Sequence, residues 1–152
     1  MKLSNKGRYG VRALFDLAFH GDGASAQIKD IAERQGIPPR FLEQIFQDLR
    51  RASLVSSKRG PRGGYQLAKP ARDISVGDVI RALEGPITVY DPAEDANEGG
   101  DGASIAVTEL AFRDLSQRIS ACFDAMTLEE LCDRAQKQGV RRSSAGGYVY
   151  VI

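Results

Sequence analysis

Segments with a helical apolar repeat alternate along this chain with short segments that break it. Between Lys6 and His20, Val11, Leu14, Phe15, Leu17 and Ala18 recur at the spacing of one helix side, with Arg8 and Arg12 elsewhere on the cylinder. Gly21-Asp22-Gly23 stops that pattern. Ser25-Ala26-Gln27 then leads into a short second helix from Ile28 to Gln35, which turns Ile28, Ile31 and Ala32 inward and ends at Gly36. Pro38 and Pro39 mark the start of a third helix, because proline fits a first helical position. Its Leu42, Ile45, Phe46 and Leu49 follow the i, i+3, i+4, i+7 rule and are expected in the core, with Arg40, Glu43, Gln44, Gln47, Arg50 and Arg51 on the opposite face.

The period then changes. Leu54 to Arg59, the turn Gly60-Pro61-Arg62-Gly63-Gly64 and Tyr65 to Ala68 read as strand, tight basic turn and strand, a hairpin wing. Val76, Val79, Ile80 and Leu83 return to helical spacing behind Ser75 as N-cap, and Gly85-Pro86 closes this head. Asp91 to Ser104 is acidic, glycine-rich and without period, as expected of a flexible loop. From about Ile105 a long helix resumes. Its Val107, Ala111, Leu115, Ile119, Cys122 and Met126 form a seam resembling a coiled coil, which the head is too small to cover, so a second copy is expected there. Thr127 looks like the N-cap of a last helix reaching about Gln138. Tyr148-Val149-Tyr150-Val151-Ile152 is β-prone, either a frayed end or a strand for an exposed edge. The predicted organisation is therefore a head at 1–86, an acidic loop at 87–104, dimerisation helices at 105–138 and a linker and tail at 139–152. The fold class is mainly α with a small β-hairpin wing.

Charge sharpens this picture. The whole chain carries a net charge of only +1, but residues 1–72 hold 14 Lys and Arg against 6 Asp and Glu, whereas residues 73–104 hold 1 against 8. A basic first half beside an acidic middle suits a protein of which one part meets a polyanion. No apolar run is long enough to span a bilayer and the first residues lack a signal-peptide core, so a cytoplasmic protein without a membrane partner is expected. One histidine, two cysteines and scattered acids offer no catalytic constellation, and no cofactor is expected.

Two short helices joined by a glycine turn, the second with a polar and basic outer face, form a helix-turn-helix pattern. The major groove of DNA admits such a helix. There Gln44 suits adenine, Glu43 the cytosine amino group, and Arg40 guanine or a phosphate. Arg59 and Arg62 stand on a Gly/Pro turn whose backbone can approach a phosphate chain, and a narrow minor groove attracts inserted arginine. The glycine-rich turn lacks the Gly-Lys-Ser/Thr and following helix of a nucleotide cradle. The full set expected at double-stranded DNA is Lys6, Arg8, Arg40, Phe41, Glu43, Gln44, Arg50, Lys58, Arg59, Arg62 and Gly63.

Several segments in order carry a more specific signal. They are Met1-Lys2-Leu3-Ser4 with Lys6-Gly7-Arg8-Tyr9, Ile31-Ala32-Glu33-Arg34-Gln35-Gly36-Ile37, Phe41-Leu42-Glu43-Gln44, Arg59 to Tyr65, and Ile80-Arg81-Ala82-Leu83-Glu84-Gly85. Together they resemble the IscR/NsrR/CymR-type (Rrf-two) family of bacterial winged helix-turn-helix regulators, and Thr127 to Leu131 resembles the end of that family's dimer helix. The resemblance implies a homodimer on a palindromic operator; a repressor is expected, although the residues themselves leave activation open. It also implies major-groove contacts from Glu43 and Gln44 and a minor-groove contact from Arg59. Arg40 stands where relatives often carry a small polar residue.

Many members of that family hold an iron–sulfur cluster on three closely spaced cysteines before the dimer helix. This chain has none between Asp91 and Ser104, only Asp91, Glu94, Asp95, Glu98 and Asp101. A cluster-free signal is therefore expected: a metabolite, a partner protein or a thiol change at Cys122, with the cleft between residues 75–84 and the dimer helix as a ligand site. An iron–sulfur or other metal sensor with unusual ligands, or an interaction module that binds no DNA, are the alternatives. His20 reads as structural, a cation suited to the end of its helix.

Overall fold

A computed structural model describes residues 2–94 and 99–143. Six helices and one hairpin follow in the order α1 (Asn5–Gly21), α2 (Ile28–Gln35), α3 (Pro39–Arg51), β1 (Val55–Lys58), β2 (Gly64–Leu67), a 3-10 turn (Ala71–Asp73), α4 (Val76–Glu84), α5 (Gly102–Ala125) and α6 (Leu128–Lys137). The expected tail, Tyr148 to Ile152, lies outside the described residues.

The helix ends are chemically marked. Ser4 caps α1 by accepting from the Gly7 N–H, and Gly36 ends α2 in the left-handed region. Pro39 stands in the first turn of α3. Ser75 and Asp78 form a reciprocal capping box on α4, at 3.0 and 2.9 Å. Thr127 caps α6 through the Glu130 N–H.

The core gathers Leu14 and Leu17 of α1, Ile31 of α2, Leu42, Ile45, Phe46 and Leu49 of α3, and Val79 and Leu83 of α4. Each such side chain stabilises the fold by about 1.5–3 kcal/mol through burial. Helices α1 and α4 approach closely because residue 10 is glycine. A Cβ there would fall 2.1 Å from Leu83 Cδ1.

The wing pairs Val55 with Leu67 and Lys58 with Gly64, antiparallel. It carries a third rail: Ala26 and Tyr65 exchange two backbone hydrogen bonds of 2.8 Å each. The Tyr65 ring lies 4.7 Å from that of Phe46, so the hairpin rests directly on α3. A single residue of strand has no alternation to read, and the sequence pattern shows only two strands.

Helix α5 begins at Gly102, capped by Asp101 and slightly earlier than the apolar period suggests. Residues 88–90 are pinned to it, because Ser116 Oγ meets Thr88 Oγ1 at 3.1 Å and accepts the Val89 N–H at 3.0 Å, and Tyr90 stacks on Phe112. Helix α6, grouped by sequence with the dimer helix, turns back onto α1. Leu128 is fully buried in the head core, and its N–H donates to Ile74 O at 2.9 Å. Val76 N–H donates to Met126 O at 2.8 Å, tying the junction of α5 and α6 to the start of α4.

Candidate nucleic-acid interface

Helix α3 divides cleanly. Leu42, Ile45, Phe46 and Leu49 are fully buried, while Arg40, Glu43, Gln44, Gln47 and Arg50 are exposed. Phe41 belongs to neither group. It is half-buried, and its ring meets the Tyr9 ring edge-on at 5.7 Å. Lys6 pairs with Asp48 of α3 at 2.6 Å, and Arg8 with Asn5 on its own helix. Lys6 thus borders the α3 face, and both side chains are engaged in contacts of their own.

The position of α3 is set from below by α1 and α2. Asp16 is fully buried on α1 and receives Arg34 as a fork, Nη2 to Oδ1 at 2.7 Å and Nε to Oδ2 at 2.9 Å, with Gln35 Nε2 adding a third donor at 2.9 Å. That hydrogen bond to Asp16 holds the Arg34 guanidinium above its usual pKa. Arg12 donates to the Gln35 carbonyl at the end of α2 and covers the Tyr9 ring at 5.3 Å. Sequence reading missed Asp16, an acid set among apolar neighbours whose partner lies on another helix.

Lys58, Arg59 and Arg62 are exposed on the wing. Its turn is closed by Gly63 N–H to Gly60 O at 2.8 Å, and Ser25 Oγ donates to Arg62 O at 2.8 Å. A side chain at residue 63 would put Cβ 2.2 Å from Lys58 O, so only glycine lets the strand return here. Wing arginines and the polar face of α3 are thus presented by one rigid head.

On α5 the expected seam is uncovered in the single chain. Val107, Ala111, Leu115 and Cys122 are exposed, and Ile119 and Met126 half-buried. Ile105, Leu110 and Phe112 extend the apolar surface. Between α4 and α5, where a ligand cleft is expected, Arg81 donates to Ser120 Oγ at 3.0 Å and pairs with Asp124. His20 also differs from expectation. Burial lowers its pKa, and Nδ1 accepts the Ser143 N–H at 2.9 Å, so its role is that of a neutral acceptor rather than a cation at a helix end.

The thiols sit on separate helices. Cys122 is exposed on α5, and Cys132 on α6 is half-buried, with a pKa raised by that burial. Among the described residues no three His, Cys, Asp or Glu side chains converge as metal ligands, and no helix is long and apolar enough to cross a membrane.

Residues 3–134 match the Rrf2 family, described as an iron-dependent transcriptional regulator. The chain is similar to the HTH-type transcriptional regulator IscR of Serratia proteamaculans, 44% identical over 131 residues, which cover 86% of this chain and 79% of the relative. It is 44% identical to the IscR of Aliivibrio salmonicida over 131 residues, 86% and 77% of the two chains. Among solved structures, CymR, the global cysteine regulator of B. subtilis, superposes with a TM-score of 0.72 at 37% identity, covering 88% of this chain and 98% of that one. T. potens IscR does so with a TM-score of 0.71 at 39% identity, covering 99% and 96%. The fold and these likenesses define a winged helix-turn-helix regulator of transcription, a DNA-binding and non-enzymatic class. The chain belongs to the Rrf2 family.

An iron–sulfur cluster would need several thiolates in one place. Two cysteines on separate helices, and only carboxylates in 91–104, do not fit a conventional thiolate-held cluster.

Proposed function

We propose that the chain acts as a homodimer on a palindromic operator, as a repressor, with α3 of each head in the major groove and the wing beside it. The observation that carries this reading is the division of α3: a fully buried apolar face holds the helix, and Arg40, Glu43 and Gln44 stand free on the other side. Glu43 and Gln44 read base edges, Arg59 enters the minor groove, and Arg40, Arg50, Lys58 and Arg62 meet phosphates. The apolar surface of α5 pairs the two copies through Val107, Ala111, Leu115, Ile119, Cys122 and Met126. The controlling signal is cluster-free, such as a metabolite, a partner protein or a thiol change, because the donor set suits no conventional cluster. The protein works in the cytoplasm.

The test is fluorescence anisotropy with a duplex selected from a random pool, titrated against salt. Specific binding is expected to weaken steeply as counterions are released. Glu43→Ala is expected to change preference among duplexes, and a uniform loss over all sequences would contradict base reading.

A further inference from the structure

Helices α1 and α6 leave a groove of about 330 Å³ between them, lined by Val11, Phe15, Leu131 and Ala135 together with Arg12 and Arg134. That volume lies within the ~300–1,000 Å³ of small-molecule sites. No acid lines it. Arg134 is held by Glu130 at 2.7 Å, but the contacts of Arg12 are with neutral groups, the Gln35 carbonyl and the Tyr9 ring. An apolar lining beside one guanidinium without an acid partner, that of Arg12, and a second already paired with Glu130 is complementary to a molecule with a hydrocarbon body and one anionic head.

We propose that this groove binds a small amphipathic anion, a carboxylate or sulfonate on an apolar body, and that Arg12 transmits its occupancy to α3. The carbonyl of Gln35 lies at the negative end of α2, where a cation is stabilising. An anion in the groove competes with that carbonyl for the same guanidinium. Losing it frees the end of α2 and uncovers Tyr9, whose ring packs on Phe41 in the first turn of α3. The transmission, unlike the site, rests on the reading that α3 faces DNA. By reciprocity, DNA and the anion then weaken each other's binding.

The experiment titrates the isotope-labelled full chain with sodium octanoate and, as neutral control, octanol, following backbone amide shifts. Octanoate is expected to move Val11 to Phe15, Leu131 to Ala135, Gln35 and Phe41. Arg12→Gln and Arg134→Gln are each expected to weaken octanoate roughly three- to tenfold, the loss of one charge-assisted contact, and to leave octanol unchanged. Equal binding of octanol, shifts confined to α5, or a groove covered by a second copy or by the chain's own residues beyond Ser143 would overturn the site. In a separate anisotropy assay octanoate is expected to weaken duplex binding by the wild type and not by Arg12→Gln. Octanoate bound in the groove with duplex affinity unmoved would overturn the transmission alone. Failure to bind any duplex would instead count against the DNA reading while the amide shifts still decide the site.

Discussion

Asp16 and Arg34 form a fork-to-fork ion pair that fastens α2 to α1, with the carboxylate fully buried and the guanidinium partly open to water. Removing one partner of a buried pair destabilises by ~3–5 kcal/mol. Here Arg34 can rehydrate, so Asp16→Ala is expected to destabilise by about 2–3 kcal/mol, below that range because one side is already wet. Urea unfolding measures this, and a loss within about 0.5 kcal/mol would mean the pair is passive.

Stability should fall on mild acidification through His20. Desolvation by burial, with smaller opposing help from Asp16 and repulsion from Arg34 and Arg142, puts its pKa below the usual 6.5. The folded state therefore binds this proton more weakly than the unfolded chain does. Its contribution is complete above pH 6.5 and is lost as pH falls through the lower folded value. Protonation also removes the acceptor for the Ser143 N–H. Urea midpoints between pH 7.5 and 5 are expected to drop in the wild type and to drop less in His20→Gln; parallel profiles would refute the assignment.

On the wing, charge and shape can be separated. Arg59→Ala is expected to weaken duplex binding about tenfold, or ~1.4 kcal/mol, without disturbing the fold. Gly63→Ala forces Cβ against Lys58 O, a backbone atom that cannot swing aside, so the whole turn must move and affinity falls further. Anisotropy with the selected duplex compares them, and an unchanged affinity in Arg59→Ala would remove that arginine from the interface.

Pairing through α5 is open to direct attack. Val107 and Leu110 are 67% and 63% exposed, so Val107→Glu with Leu110→Glu leaves the head core untouched. Sedimentation is expected to show a dimer for the wild type and a monomer for the double variant. A monomeric wild type, or an unaltered dimer in the variant, would contradict pairing along this face.

Much of the head was legible because its helices are amphipathic at a single period. The buried set Leu42, Ile45, Phe46 and Leu49 and the exposed set Arg40, Glu43 and Gln44 follow from spacing alone. What spacing does not carry is which surface an apolar face covers. Leu128, Leu131 and Ala135 mark a face on α6 without saying that it meets α1 rather than another copy. Asp16 is similar: its burial depends on Arg34 and Gln35, eighteen and nineteen residues further on. Phe41 sits on the boundary, in the first turn of the helix expected at DNA but packed on Tyr9.

The two hydrogen bonds between Ala26 and Tyr65 have a mechanical result. A hairpin held only by its stem would flex like a hinge. This one is fastened just ahead of α2 and seated on Phe46 of α3, so hairpin and helix behave as tines of one fork with a fixed gap. Such a tool selects its groove widths by stiffness: a duplex of the wrong local shape must deform to be gripped, whatever its bases.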